Sequence, residues 1–164
     1  MPSAVLRDYQ EPDANEVNRL ALAAFQEFSS QYSDWPALAS VYGRMSSLAE
    51  HGEIMVAELA GSIVGAVAYI PPHRPKAAYF EKGWPIIRSL VVDPTCRRMG
   101  VGRALTEECI FRARRDGSSV VALHTSPIMT VALPMYVRMG FQWNHDAPRV
   151  YGVPFAVYLQ HLKP

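Results

Sequence analysis

Apolar residues recur along this chain with two periods, and the points where the period changes divide it into elements. Residues 5–9 read as a short first strand. After Pro12-Asp13, the positions Val17, Leu20, Ala21, Ala24, Phe25 and Phe28 fall on one helical face, because side chains three and four apart overlie one another. Residues 29–35 form a polar and aromatic break, and residues 37–48 read as a second helix interrupted by Gly43. Residues 54–59 and 62–70 are two β-type runs at hairpin spacing about Ala60-Gly61, with Val56, Ile63, Val64 and Val67 supplying β-branched side chains. Pro71-Pro72 and Pro75 exclude regular structure, so residues 71–85 should be a loop carrying Tyr79, Phe80 and Trp84. The nearly continuous apolar run over 86–92, closed by Asp93-Pro94, predicts a central strand buried on both faces.

Beyond it, residues 102–115 place Leu105, Cys109, Ile110 and Ala113 on one stripe, with Gly117 at the left-handed cap position. Residues 120–124 form another buried β run, and Ser126-Pro127 suits the cap and first position of a last helix ending before Gly140. Pro134 removes a donor inside that helix and predicts either a kink or a start only near 131–133. Residues 141–144 and 153–159 read as two strands joined by an irregular loop. The order is α/β, with a mixed sheet and a late antiparallel end.

With 164 residues and 18.3 kDa, the chain is the size of one domain, read here as 1–164. At 49% hydrophobic and 19% charged residues it can bury a sizeable core, which removes a disordered chain from consideration. The 16 basic residues nearly balance 15 acidic ones, leaving a formal charge of +1 and none of the basic excess that drives nucleic-acid binding. Cys96 and Cys109, with scattered histidines, make neither a disulfide framework nor a zinc ligand set. The N-terminus lacks a basic segment followed by an apolar core, and no apolar run approaches about 18 residues. A cytoplasmic protein without a membrane span is the expectation.

The chemistry is concentrated in Leu90-Val91-Val92-Asp93-Pro94-Thr95-Cys96-Arg97-Arg98-Met99-Gly100-Val101-Gly102-Arg103, a buried strand, a short basic turn, two glycines and a helix start. Glycines let successive N–H groups turn into one concavity, and a helix N-terminus adds about half a positive charge, so the segment is suited to phosphate. Neither the Rossmann spacing of glycines nor the P-loop spacing with its Lys-Ser/Thr is present.

At these residues the sequence resembles the GNAT superfamily of acetyl-CoA-dependent N-acetyltransferases. The hallmark Gln/Arg-x-x-Gly-x-Gly/Ala stands as Arg97-Arg98-Met99-Gly100-Val101-Gly102, and the later Ala-x-x-x-Tyr-x-x-x-Gly-Phe as Ala132-Leu133-Pro134-Met135-Tyr136-Val137-Arg138-Met139-Gly140-Phe141. The resemblance covers residues 86–141, while the first half matches only in element order. It implies a GNAT-like mixed, twisted sheet of six to seven strands flanked by helices on both faces. It further implies that Leu90, Val91 and Val92 present backbone groups to the pantetheine arm of acetyl-CoA, and that Arg98, Met99, Gly100, Val101, Gly102 and Arg103, preceded by Arg97, hold the pyrophosphate. No metal is implied. An amine of a small molecule or peptide would attack the thioester directly, and Tyr136 occupies the position that commonly protonates the departing sulfur. Many similar domains pair through late strands, so the resemblance also admits a homodimer.

A lysine-like amine is only about 4 parts in 10,000 neutral at pH 7, so its proton must go somewhere. Glu81, His73, Asp34 and His124 are the candidates, acting directly or through water. No acidic residue stands in 86–92, where some family members place a base. Simpler readings stand beside these: Tyr136 as a packing partner of Phe141, and His124 as a structural histidine on an apolar strand. Trp35, Tyr79, Phe80 and Trp84 could line an acceptor pocket or serve only as packing. The loop's His73, Arg74, Lys76, Glu81 and Lys82 form a mildly basic set that would disfavour polyamines. Two rival functions remain: a non-catalytic acyl-CoA-binding module, and a transferase for a longer acyl-CoA such as succinyl-CoA, with Arg88 or Arg74 as the cation.

Overall fold

The computed structural model describes residues 3–163. Its elements follow in the order β1 (Val5–Asp8), α1 (Ala14–Gln26), α2 (Trp35–Tyr42), β2 (Glu53–Leu59), β3 (Ser62–Ile70), β4 (Ile86–Val92), α3 (Val101–Arg115), β5 (Val120–Thr125), α4 (Ala132–Arg138), β6 (Gln142–Val150) and β7 (Val153–His161). The strands form one sheet in the order β1-β2-β3-β4-β5-β7-β6, antiparallel everywhere except between β4 and β5.

Alternation along the strands sends neighbours to opposite layers. On one face Val56, Ala66, Ile86 and Val157 pack against Val17, Leu20, Ala21 and Phe25 of α1. On the other, Met55, Tyr69 and Leu123 pack against Leu105, Cys109 and Ala113 of α3. The predicted apolar faces of both helices are therefore the buried ones. Gly65 of β3 lets the start of α3 lie close on the sheet, since a Cβ there would stand 2.6 Å from Val101 Cγ1.

The helix expected over 37–48 is divided. The Asp34 carboxylate accepts from the Ala37 N–H at 3.1 Å and starts α2, which ends at Tyr42 before Gly43. Met45–Glu50 then continues as a 3-10 segment tied to α1, where Asn18 donates to Ser46 Oγ (2.9 Å) and accepts from the Ser46 N–H (2.8 Å). The β2–β3 turn follows expectation, with both Ala60 and Gly61 at positive φ.

Three late features correct the sequence reading. The predicted irregular loop before residue 153 is the second half of β6, which turns through Tyr151 and Gly152, both at positive φ, into β7 and completes a long hairpin. As an edge strand exposed along most of its length, β6 lacks the apolar alternation by which a half-buried strand is recognised. Ser126-Pro127 opens only a turn, closed by the Met129 N–H on Ser126 O at 3.0 Å. Helix α4 begins at Ala132, which leaves Pro134 in the first turn, where its missing N–H would have had no helical partner.

The third correction opens the site. Strand β4 is central, as expected, but it meets β5 only at Ile86↔Ala122 and Ile87↔Leu123. Its register with β3 slips between Ala66↔Val91 and Ala68↔Arg88, so β4 carries one extra residue there, and Ser89 takes a φ of 56°. Arg88 is consequently exposed and Ser89 and Leu90 are half-buried, while Ile86, Ile87 and Val91 remain in the core.

Candidate active site

Beyond Ile87 the separation of β4 from β5 leaves a gap with a cleft on either side of Leu90. The first cleft, of about 300 Å³, lies between the end of β4, the loop after it, the start of α3, α4 and the C-terminal end of α1. Asp93 shapes the loop by accepting from the Thr95 N–H (2.9 Å) and hydroxyl (2.8 Å), while its carbonyl accepts from the Cys96 N–H (2.8 Å). Arg98 and Gly100 both take positive φ, 67° and 79°, which reverses the chain tightly into α3. The first backbone bond of the helix is donated by Ala104 to Gly100 O at 3.0 Å, so the N–H groups of Val101, Gly102 and Arg103 precede the helical ladder.

Leu90, Val91, Val92, Arg97, Arg98, Gly100, Val101, Gly102 and Arg103 all line this cleft. Met99 alone of the expected set is absent from its walls and is 44% exposed. Arg97 is ion-paired with Glu27 at the end of α1, and Arg103 with Glu107 at 2.8 Å. Arg138 adds a fourth guanidinium, while Phe28, Val131 and Met135 supply an apolar side.

The second cleft, of about 390 Å³, is walled by Phe25, Tyr42, Tyr79, Phe80 and Phe155, with Arg44, Arg88, His124 and Thr125 as polar members. Phe25, Leu90, Met129 and Ala132 belong to both clefts and mark where they meet. Tyr136 lines the second, 5% exposed and edge-on to Phe141 with ring centroids 5.6 Å apart. Burial pushes its phenol well above the ordinary tyrosine range, so it holds its proton. His124 is stacked between Tyr79 (4.6 Å) and Phe155 (4.4 Å), and its Nε2 is buried with no hydrogen-bond partner among the described residues. Burial first, and then the charge of Arg88, hold this imidazole down to about 4, so it is neutral at pH 7.

Comparison with known proteins decides the family, because a model of the acetyltransferase (GNAT) family matches residues 14–141. The chain belongs to the GNAT acetyltransferase family. Over 97 residues it is 35% identical to N-acetyltransferase 8F1 of Rattus norvegicus, a stretch that is 59% of this chain and 42% of that protein. The chain thus spans less than half the length of the curated relatives it matches. Its fold is that of a GCN5-related N-acetyltransferase from Rhodopseudomonas palustris, with a TM-score of 0.77, 18% identity and coverage of 99% of this chain and 98% of that one. A GNAT family acetyltransferase from Brucella melitensis in complex with acetyl-CoA has a TM-score of 0.68 at 22% identity, covering all of this chain and 91% of the other.

Within this GNAT fold the remaining sequence candidates separate clearly. Asp34 is a helix cap, and His73 and Glu81 are exposed loop residues; none of the three lines either cleft. Of the four proposed proton acceptors only His124 faces a cleft. Tyr79 and Phe80 line the second cleft, whereas Trp35 and Trp84 pack against the core beneath α1. The loop that carries Tyr79 is held by Lys76, whose Nζ donates to the carbonyls of Pro71 (3.4 Å), Arg74 (2.8 Å) and Lys82 (3.2 Å). Cys109 is fully buried, and Cys96 is half-buried on the wall of the first cleft.

Sequence reasoning missed the contributions of Phe25 and Phe28, and those of Met135 and Arg138. In the sequence Phe25 and Phe28 carry only a core signal, because periodicity reports which face is buried and not what borders it. Arg88 had a visible signal, a charge interrupting an apolar run, and its place in the second cleft follows from the bulge. Among the described residues no helix is long and apolar enough to cross a membrane.

Proposed function

We propose that this chain, as one acetyltransferase domain, transfers acetyl from acetyl-CoA to a primary amine by direct attack. The observation that carries the reading is the junction at Leu90 of an N–H- and guanidinium-lined cleft with a second, aromatic cleft containing a protonated phenol. The first suits an anionic head on an apolar arm, since α3 and its preceding turn supply donors and positive charge while Val92, Val131 and Met135 supply apolar contact. Among the described residues strand β4 past Ile87 has no strand partner toward β5, so Leu90, Val91 and Val92 can offer backbone groups to an extended arm, as a sheet edge does. Arg98, Gly100, Val101, Gly102 and Arg103 would hold the pyrophosphate, and the Arg97–Glu27 pair would brace the loop.

In the transfer, the neutral amine forms an N–C bond with the thioester carbon and the C–S bond breaks. Tyr136 gives its proton to the sulfur, and the proton lost by the amine restores the phenol through water, leaving an amide and a free thiol. Proton donation by the buried phenol spares a thiolate, of ordinary pKa about 8.5, from forming in an apolar cleft. His124 is not a base for an ammonium group of pKa about 10.4, since a gap of roughly six units corresponds to about 8–9 kcal/mol. Its neutral ring, clamped between two aromatics, instead supports a role in the acceptor wall.

Calorimetric titration with acetyl-CoA, CoA and an NAD control, followed by thiol release over an amine panel, tests this reading. Micromolar binding of the CoA compounds alone, with amine-dependent thiol release, is expected. Absence of CoA binding would leave the glycine turn as a structural helix start, and CoA binding without transfer to any amine would favour a non-catalytic module.

A further inference from the structure

The second cleft has a chemical bias that acetyl transfer as such does not require. None of its lining residues is an aspartate or glutamate, while Arg44 and Arg88 both face it. Arg44 is committed in part to the end of α2, donating from Nε to Ser40 O at 3.1 Å. Arg88 rises from β4 at the bulge, two residues before Leu90, and pairs with no carboxylate among the described residues. Around it stand Tyr42, Tyr79 and His124, all neutral at pH 7, because burial raises both phenols and lowers the imidazole, so none supplies a counter-charge.

A guanidinium in that position, in a cleft without a counter-charge, is matched by an anion on the molecule that fills it. A second ammonium group would meet like charge and no carboxylate, so polyamines are disfavoured. A chain terminus of a protein or peptide brings its amine without a carboxylate close by, and leaves Arg88 unmatched. The remaining walls, Phe25, Tyr42, Tyr79, Phe80 and Phe155, accept an apolar body, and about 390 Å³ is the scale of a small-molecule pocket.

Resting on the acetyltransferase reading above, we infer that the acceptor is a free amino acid with an apolar or aromatic side chain, its carboxylate held by Arg88 and its amine directed to the cleft junction at Leu90. Arg88 is thus a specificity residue on the acceptor side. The same guanidinium could serve a carboxylate carried on the acyl group, as in succinyl-CoA, and the experiment includes that arm.

The test measures kcat/KM by thiol release for the apolar amino acids against their amides and decarboxylated amines, with spermidine and an N-terminal phenylalanyl peptide alongside. Each acid is expected to exceed its amide at least tenfold, although the amide has the less basic and more often neutral amine. In Arg88→Gln that ratio should fall to within about threefold, through a raised KM for the acids, and Arg88→Lys should retain part of it. Equal or better turnover of amides, spermidine or the peptide by the wild type would overturn the inference while leaving acetyl transfer intact. A preference for succinyl-CoA over acetyl-CoA that disappears in Arg88→Gln would overturn it by assigning Arg88 to the donor. CoA binding without turnover of any amine would overturn this inference together with the reading on which it rests.

Discussion

Removing the hydroxyl of Tyr136 isolates the step in which the sulfur departs. In Tyr136→Phe the ring keeps its edge-on contact with Phe141 at 5.6 Å and its burial, so packing is preserved. Among the described residues no side chain hydrogen-bonds its hydroxyl, so little folding free energy is at stake. A change within about 0.5 kcal/mol corresponds to a shift in Tm of roughly 2 °C or less for a chain of this size. Catalysis should respond more strongly. General acids contribute about 100-fold or more when the leaving group is poor, but a thiol of pKa about 8.5 leaves tolerably unaided, which sets the expected loss at roughly 10- to 100-fold in kcat. That is about 1.4–2.7 kcal/mol of transition-state stabilisation. Because the interaction exists only as the C–S bond breaks, kcat and kcat/KM should fall together while the Kd for acetyl-CoA holds within about twofold. Steady-state thiol release at saturating amine and calorimetry on the same variant separate these quantities. Full activity in Tyr136→Phe would refute the assignment and return the residue to a packing role beside Phe141.

Three further outcomes probe other parts of the molecule. A Cβ on Gly102 would stand 3.5 Å from Val92 Cγ2, 3.6 Å from Met135 Sδ and 3.9 Å from Leu90 Cδ2, inside the first cleft and without backbone strain. Gly102→Leu should therefore weaken CoA binding at least about 100-fold by calorimetry, while Tm stays level or rises, because leucine is the better helix former by several tenths of a kcal/mol. Gly100 is the poorer probe, since its φ of 79° strains any other side chain whatever it does to the ligand. His124 takes up its proton near pH 4 when folded and near 6.5 when unfolded, so between these values the unfolded chain binds more protons and stability falls as the pH falls. Chemical denaturation of His124→Phe at pH 7 and pH 4 should show that this component, about 2 kcal/mol after screening by water at the cleft, is gone; an unchanged pH slope would refute it. Asp34→Ala removes the cap of α2 and should cost about 1 kcal/mol of stability by denaturation, with kcat unaltered; a large loss of kcat instead would restore Asp34 as a proton acceptor.

The sequence by itself determined which segments are helices and strands wherever one face is buried, because burial imprints a period on the residues that share it. The faces of α1 and α3, the β2–β3 hairpin and the central place of β4 were all legible in this way. So was the turn from Arg97 to Gly102, since positive φ at Gly100 and the unpaired N–H groups at a helix start are local properties of a few consecutive residues. Where burial is missing the signal goes with it, as in β6, whose exposed edge position left no alternation to read. Tertiary structure alone decided what the clefts contain. One extra residue in β4, registered against Ala66 and Ala68 of a different strand, turned Arg88 out of an otherwise apolar run where β4 parts from β5. That opening set His124 and Tyr136 in one wall and left Asp34, His73 and Glu81 outside it. Strand register and the distances between elements far apart in sequence depend on packing across the whole sheet, and no local pattern encodes them.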